Sequence, residues 1–282
     1  MNKTNAALLA VIVVLVVAFA WYVSKHPATP SAGSPVETAP VPAATGGEPE
    51  AVAAAPRVLS ADLDAIGIDK LALEVGVGEV HVNPSPDDKV HVQVTLRPKE
   101  QEFMWFFHWR SAGTARGIAA ASIDQEKQGD RLSLSLSYPR EADQDNLKQE
   151  WDVQMPVYLA LDAHLKVGEL TINGAEGGVT ARLDVGELSI DAPQGAIDGQ
   201  VNVGEIRAKS GTDRHGKIDL SSTIGEAVVY INGEQSGYHE HGGLGNRVTL
   251  DGSGPDSMRL EVNVGEASLR ITPGGGKGEE HK

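Results

Sequence analysis

The sequence predicts an all-β protein, a single-stranded parallel β-helix-like solenoid with rungs of about 20 residues. Three observations predict it. A Val-Gly-Glu phrase recurs along the chain, apolar residues alternate on either side of it, and the parity of that alternation changes at the glycine.

The copies are Val77-Gly78-Glu79-Val80, Val167-Gly168-Glu169-Leu170, Val185-Gly186-Glu187-Leu188, Val203-Gly204-Glu205-Ile206, Ile224-Gly225-Glu226-Ala227 and Val264-Gly265-Glu266-Ala267. From Gly168 the glycines follow one another at 18, 18, 21 and 40 residues. The longest interval reads as two steps, with a degraded copy at Leu244-Gly245-Asn246-Arg247-Val248. Either Gly245 or Asn246 takes the glycine slot there, since asparagine also tolerates positive φ.

Inside one unit, Val179, Ala181, Leu183 and Val185 alternate with polar residues, the pattern of a strand with one buried face. After Gly186-Glu187 the apolar set shifts to Leu188 and Ile190. The shift means a corner at which two successive residues point outward and the inner face is then restored. Glycine suits such a bend because it accepts positive φ and close backbone approach. The same shift follows Leu165 and Val167 (to Leu170 and Ile172), Val201 and Val203 (to Ile206 and Ala208), and Leu260, Val262 and Val264 (to Ala267, Leu269 and Ile271). One such unit cannot bury its face alone. Stacked units can, with equivalent strands pairing about 4.8 Å apart. An antiparallel sandwich would not require the same dipeptide in every unit.

Residues 1–25 hold an 18-residue uncharged run at 6–23, long enough at about 1.5 Å per residue to span a bilayer core, with Trp21 and Tyr22 at its end. This is a transmembrane anchor, or a signal segment cut near Ala20. Residues 26–57 are rich in Pro and Ala and read as a disordered linker. The β-solenoid domain covers 58–272, with an irregular insertion or cap at 97–150, and 273–282 is a polar tail. The 90 residues between Gly78 and Gly168 break the repeat. They still carry strand patterns at Val90–Leu96, Leu132–Tyr138 and Val153–Leu161, the last running into Val167, and a hairpin turn at Gln128-Gly129-Asp130. At least one antiparallel excursion is expected in this part.

The net charge of −15 argues against nucleic acid or anionic lipid as the main partner. The absence of cysteine excludes disulfides, thiolate catalysis, cysteine–zinc sites and a lipid-modified N-terminal cysteine. No nucleophile elbow, HExxH or phosphate-binding glycine loop is present.

An anchor, a Pro/Ala linker, an opening strand pair at Val75–Val82 and a Met155-Pro156 strand leading into Val-Gly-Glu rungs together resemble the bacterial putative-adhesin, or toast-rack, β-solenoid proteins of the cell envelope. The resemblance covers residues 62–272. It implies a parallel β-helix-like fold, no catalytic residues, and for some relatives a link to envelope stress.

Three groups are candidates for chemistry. The first is a glutamate ladder, Glu79, Glu169, Glu187, Glu205, Glu226 and Glu266, whose carboxylates would stack about 5 Å apart. It reads either as a cation ladder or as solvated corner residues. The second is the aromatic segment Phe103, Trp105, Phe106, Phe107, Trp109 and Arg110, which holds five of the chain's 13 aromatic residues. It would dock a partner or cover the end of the core. The third is His239-Glu240-His241, a weak metal pattern. No resident metal or cofactor is expected. The expectation is a non-catalytic protein at the inner membrane, single-pass, with its C-terminal domain extracytoplasmic and an unidentified envelope protein or cell-wall component as partner; cleavage near Ala20 would instead release it to the periplasm. The alternatives are a polysaccharide-active enzyme using Asp184, Asp191, Asp198 and Asp219, and a calcium-dependent adhesin.

Overall fold

The computed structural model describes residues 56–98, 117–139, 147–191, 194–211 and 215–272. The expected membrane segment, nearly all of the linker, the aromatic segment at 103–110 and the polar tail lie outside the described residues. Among the described residues no helix is long and apolar enough to cross a membrane.

The described chain is all-β apart from one helical turn at 117–120. Its first seven strands are β1 (Arg57–Asp64), β2 (Lys70–Pro84), β3 (Lys89–Pro98), β4 (Ser122–Gln128), β5 (Arg131–Ser137), β6 (Leu147–Met155) and β7 (Ala160–Asn173). The rest are β8 (Val179–Asp191), β9 (Ile197–Ser210), β10 (His215–Ile231), β11 (Glu234–Ser236), β12 (Tyr238–Gly242), β13 (Gly245–Asp251) and β14 (Asp256–Ile271).

The centre is a parallel ladder of six long strands in the order β2, β7, β8, β9, β14, β10. All are in register, so that Gly78, Gly168, Gly186, Gly204, Gly265 and Gly225 form one column. Each glycine divides its strand into two arms. Leu165, Leu183 and Val201 before the corner, and Leu170, Leu188 and Ile206 after it, are buried in a single core. The arms face one another across that core: a Cβ built on Gly199, in the first arm of β9, would meet the Leu188 and Ile190 side chains of the second arm of β8. Burial of each such aliphatic side chain is worth roughly 1.5–3 kcal/mol.

Two expectations need correction. Val167, Val185 and Val203 do not enter the core; they are 42%, 44% and 38% exposed. The chain takes four residues, Asp184 to Glu187 in β8, to pass from buried Leu183 to buried Leu188. A bend of that sharpness puts the residue before the glycine on its convex side. The copy at 244–248 is not a rung either. β13 runs antiparallel to β10, and Asn246 lies opposite Ser222. The Asn246 amide donates to Ala227 O (2.8 Å) and accepts from Ala227 N (2.6 Å), completing the backbone bonding of that residue. The chain thus leaves β9, skips one position to form β10, makes the β11–β13 excursion, and returns to lay β14 in the vacant position.

Antiparallel strands flank both ends of the ladder. β13 and β11 cover the two arms of β10. Beside β2, one rung is divided between two segments: β5 pairs with Lys70–Glu74 and β6 with Gly78–Pro84. β4 then pairs antiparallel with β5, and β3 with β6. The expected hairpin is the β4–β5 turn, with Gly129 at φ 65°. Pro156 lies between strands, so the apolar run expected across 153–167 is split into β6 and β7. Trp151, fully buried on β6, donates its indole N–H to Gln149 Oε1 at 3.0 Å.

Candidate functional site

The corner begins with its glycines. Gly168, Gly186 and Gly204 have φ of 141°, 143° and 143°, and Gly225 and Gly265 have 137°. Each Cα also faces the backbone of the next rung. A Cβ on Gly168 would lie 1.7 Å from Gly78 O, on Gly186 1.7 Å from Gly168 O, and on Gly265 1.8 Å from Gly204 O. No side chain fits. Bend and stacking therefore impose the same residue at the same place.

The register turns this corner into columns about 4.8 Å per step. One column is Val77, Val167, Val185, Val203, Val264 and Ile224. Beside it run Glu79, Glu169, Glu187, Glu205, Glu266 and Glu226, in that spatial order. The last two stand in the reverse of their sequence order, because β14 lies between β9 and β10. Glu150 on β6 extends the acidic column by one position beyond Glu79.

The carboxylates are not equivalent. Lys148 Nζ donates to Glu79 Oε1 at 2.7 Å, and that bond holds the Glu79 pKa below its ordinary value. Arg97 pairs with Glu150 at 3.2 Å. The Arg207 guanidinium bridges Glu187 and Glu205, with Nε 2.6 Å from Glu205 Oε1. Glu169, Glu226 and Glu266 have no ion pair among the described residues. Burial raises the Glu266 pKa, and repulsion from Glu205 and Glu226 raises it further, against the pull of Arg207. The other flank of the apolar column is polar: Asn202 Nδ2 donates to Asp184 at 3.1 Å, and Asn263 Nδ2 donates to Asn202 at 2.9 Å.

The sequence reading anticipated the alignment of the glutamates but missed the exposed valines, Glu150 and Arg207. A signal for the valines was present. The residue before the glycine is Val in five copies and Ile in one, whereas the first buried residue after it varies among Val, Leu, Ile and Ala. Arg207 stands two residues after Glu205, hence on the same outward face.

The remaining candidates are dispersed. Phe103, Trp105, Phe106, Phe107, Trp109 and Arg110 lie outside the described residues. Beyond them, Arg57 Nη1 donates to Ile118 O at 2.9 Å and Ala121 O at 3.0 Å, fixing the helical turn at 117–120. His239 and Glu240 lie on β12, the last strand of the sheet order, paired with β13. Asp198 and Asp219 lie in the outward series of the first arm, in register with Arg259 between them. Asp219 Oδ1 accepts from Arg247 Nε at 2.7 Å, and that bond lowers the Asp219 pKa. Among the described residues no three His, Asp or Glu side chains converge as a metal site.

No protein-family model matches the chain, and no curated protein matches it. Several solved structures are similar to it. One is described as a "putative cell adhesion protein" from Clostridium sporogenes; it is 14% identical, with 78% of this chain and 100% of that chain covered, at a TM-score of 0.47. A "putative adhesin" from Bacteroides fragilis is 9% identical, with 78% and 99% covered, at 0.27. A "putative lipid binding protein" from Parabacteroides distasonis is 11% identical, with 77% and 96% covered, at 0.20.

Proposed function

We propose that the chain is a non-catalytic cell-envelope protein. In this reading its bent, stacked strands constitute a rigid solenoid, displayed from the inner membrane by the N-terminal segment and the Pro/Ala linker, that binds a protein or cell-wall partner in adhesion or envelope-stress signalling.

One observation carries the reading. The inner positions of the rungs are consumed by one continuous core, while the outer polar groups run in columns along the body. Such a body offers a long surface of fixed spacing, suited to holding a partner. The acidic side chains follow the same rule. Asp184 is engaged by Asn202 along its own column, and Asp219 by Arg247 of the flanking strand β13.

The test is cross-linking of the full-length protein in intact cells, together with co-sedimentation on purified cell-wall sacculi. A defined adduct or retention on the wall is expected. Absence of both overturns the reading.

A further inference from the structure

We propose that the column of Val77, Val167, Val185, Val203, Val264 and Ile224, with the glutamates beside it, is the docking surface for a basic amphipathic helix of a partner protein. The inference rests on the reading above, and it names the surface and the chemistry of the partner.

Val167, Val185 and Val203 are at least 38% exposed and Val77, Ile224 and Val264 are half-buried, whereas nearly all other aliphatic side chains of these arms are buried. Within a rung the valine is a single convex residue. In register, the six become a stripe of five steps of about 4.8 Å, roughly 24 Å long. The stripe runs across the strands, and this selects its occupant. An extended peptide repeats its side chains on one face every ~6.8 Å and falls out of step after two rungs. An α-helix repeats every 5.4 Å, about 0.6 Å from the rung spacing, so one apolar residue per turn follows one valine per rung along most of the stripe.

Charge selects the flank of that helix. Glu169, Glu226 and Glu266 lie beside the stripe without an ion pair among the described residues, so a line of Lys or Arg next to the apolar residues meets free carboxylates. A second copy of this chain would match the spacing, but it brings a further net charge of −15 and its own acidic column to the contact.

The probe is a synthetic helical peptide of about 18 residues, ~27 Å long, with one leucine per turn in a stripe and lysines along one side of it. Its reference is a peptide of the same composition with the leucines spread around the helix. Binding to full-length protein in detergent is followed by fluorescence anisotropy. The striped peptide is expected to bind at least about tenfold more tightly than the scrambled one. Val185→Thr with Val203→Thr, which keeps β-branched residues at exposed positions, is expected to abolish that preference. Glu169→Gln with Glu226→Gln is expected to weaken binding and flatten its dependence on salt. Equal binding of the two peptides, or an unchanged preference in the valine variant, overturns the proposal. So does a wild-type protein of dimeric mass that the valine variant converts to monomer, since the occupant is then a second copy. If the valine variant still forms the envelope adduct, this proposal fails and the broader reading stands. If neither an adduct in cells nor retention on the wall is found although the peptide binds, the broader reading fails.

Discussion

At the corner, one atom decides what each rung tolerates. Gly186→Ala would place a methyl 1.7 Å from Gly168 O at a φ of 143°, so both backbone and neighbour must move. A cost of about 3 kcal/mol or more is expected, read as a lower urea midpoint at unchanged slope. His91 poses a different single-residue question. Its Nδ1 lies 2.6 Å from Asp62 Oδ1 on β1, and its Nε2 lies 2.9 Å from Asp87 Oδ1 in the turn before β3. The bonds to Asp62 and Asp87 raise the His91 pKa, and the bond from His91 lowers that of Asp87. The histidine therefore binds its proton more tightly in the folded state. Its contribution is complete below the unfolded value near 6.5 and fades as pH rises through the higher folded value. The Asp87 contribution is present above the ordinary carboxylate value and is lost as pH falls through the lowered one. Thermal melts of His91→Asn should fall below wild type by a few degrees at pH 6 and converge with it at alkaline pH. A constant difference at all pH values would show that the ion pairs do not matter.

Strand β13 shows how an element can look like a repeat and behave as an end. Its sequence resembles a worn copy of the rung, yet it runs antiparallel, and Asn246 bonds to both backbone groups of Ala227. Asn246→Ala removes donor and acceptor together and leaves a partly buried N–H and C=O to be satisfied otherwise. A loss of about 1–3 kcal/mol is expected, with earlier hydrogen exchange at Ala227 than elsewhere in β10. At the element level the repeat and the alternation of apolar residues located the six long ladder strands, β3, β5 and part of β6, and left β1, β4, β11 and β12 unread. The alternation misplaced the valines because, taken strictly, it assumes a straight strand. The corner has a convex side that no period-2 pattern contains.

Across the whole molecule, the order of the rungs differs from the order of the chain. Ser268 on β14 is in register with Arg207 on β9 and with Val228 on β10. The chain has no cysteine, so paired substitutions report the order directly. Adjacent rungs lie about 4.8 Å apart, within reach of a disulfide, and alternate rungs roughly 10 Å apart, beyond it. Arg207→Cys with Ser268→Cys should cross-link on mild oxidation, and Arg207→Cys with Val228→Cys should not. The reverse result would restore stacking in chain order.

The sequence by itself determined that the chain is built of bent strands, that glycine stands at each bend, which aliphatic residues face inward along most of each arm, and that the glutamates align. These follow from local rules: side-chain alternation, the backbone freedom of glycine, and the need of each unit for a neighbour. Only the tertiary structure decided which copy lies next to which, that one rung is shared by β5 and β6, and that the valines line the outside of the corner. Repeats that are nearly alike offer nearly equal pairing energy to one another. The choice among them therefore falls to the lengths of the connections and the strands that close the ends, and these act only once the whole chain has folded.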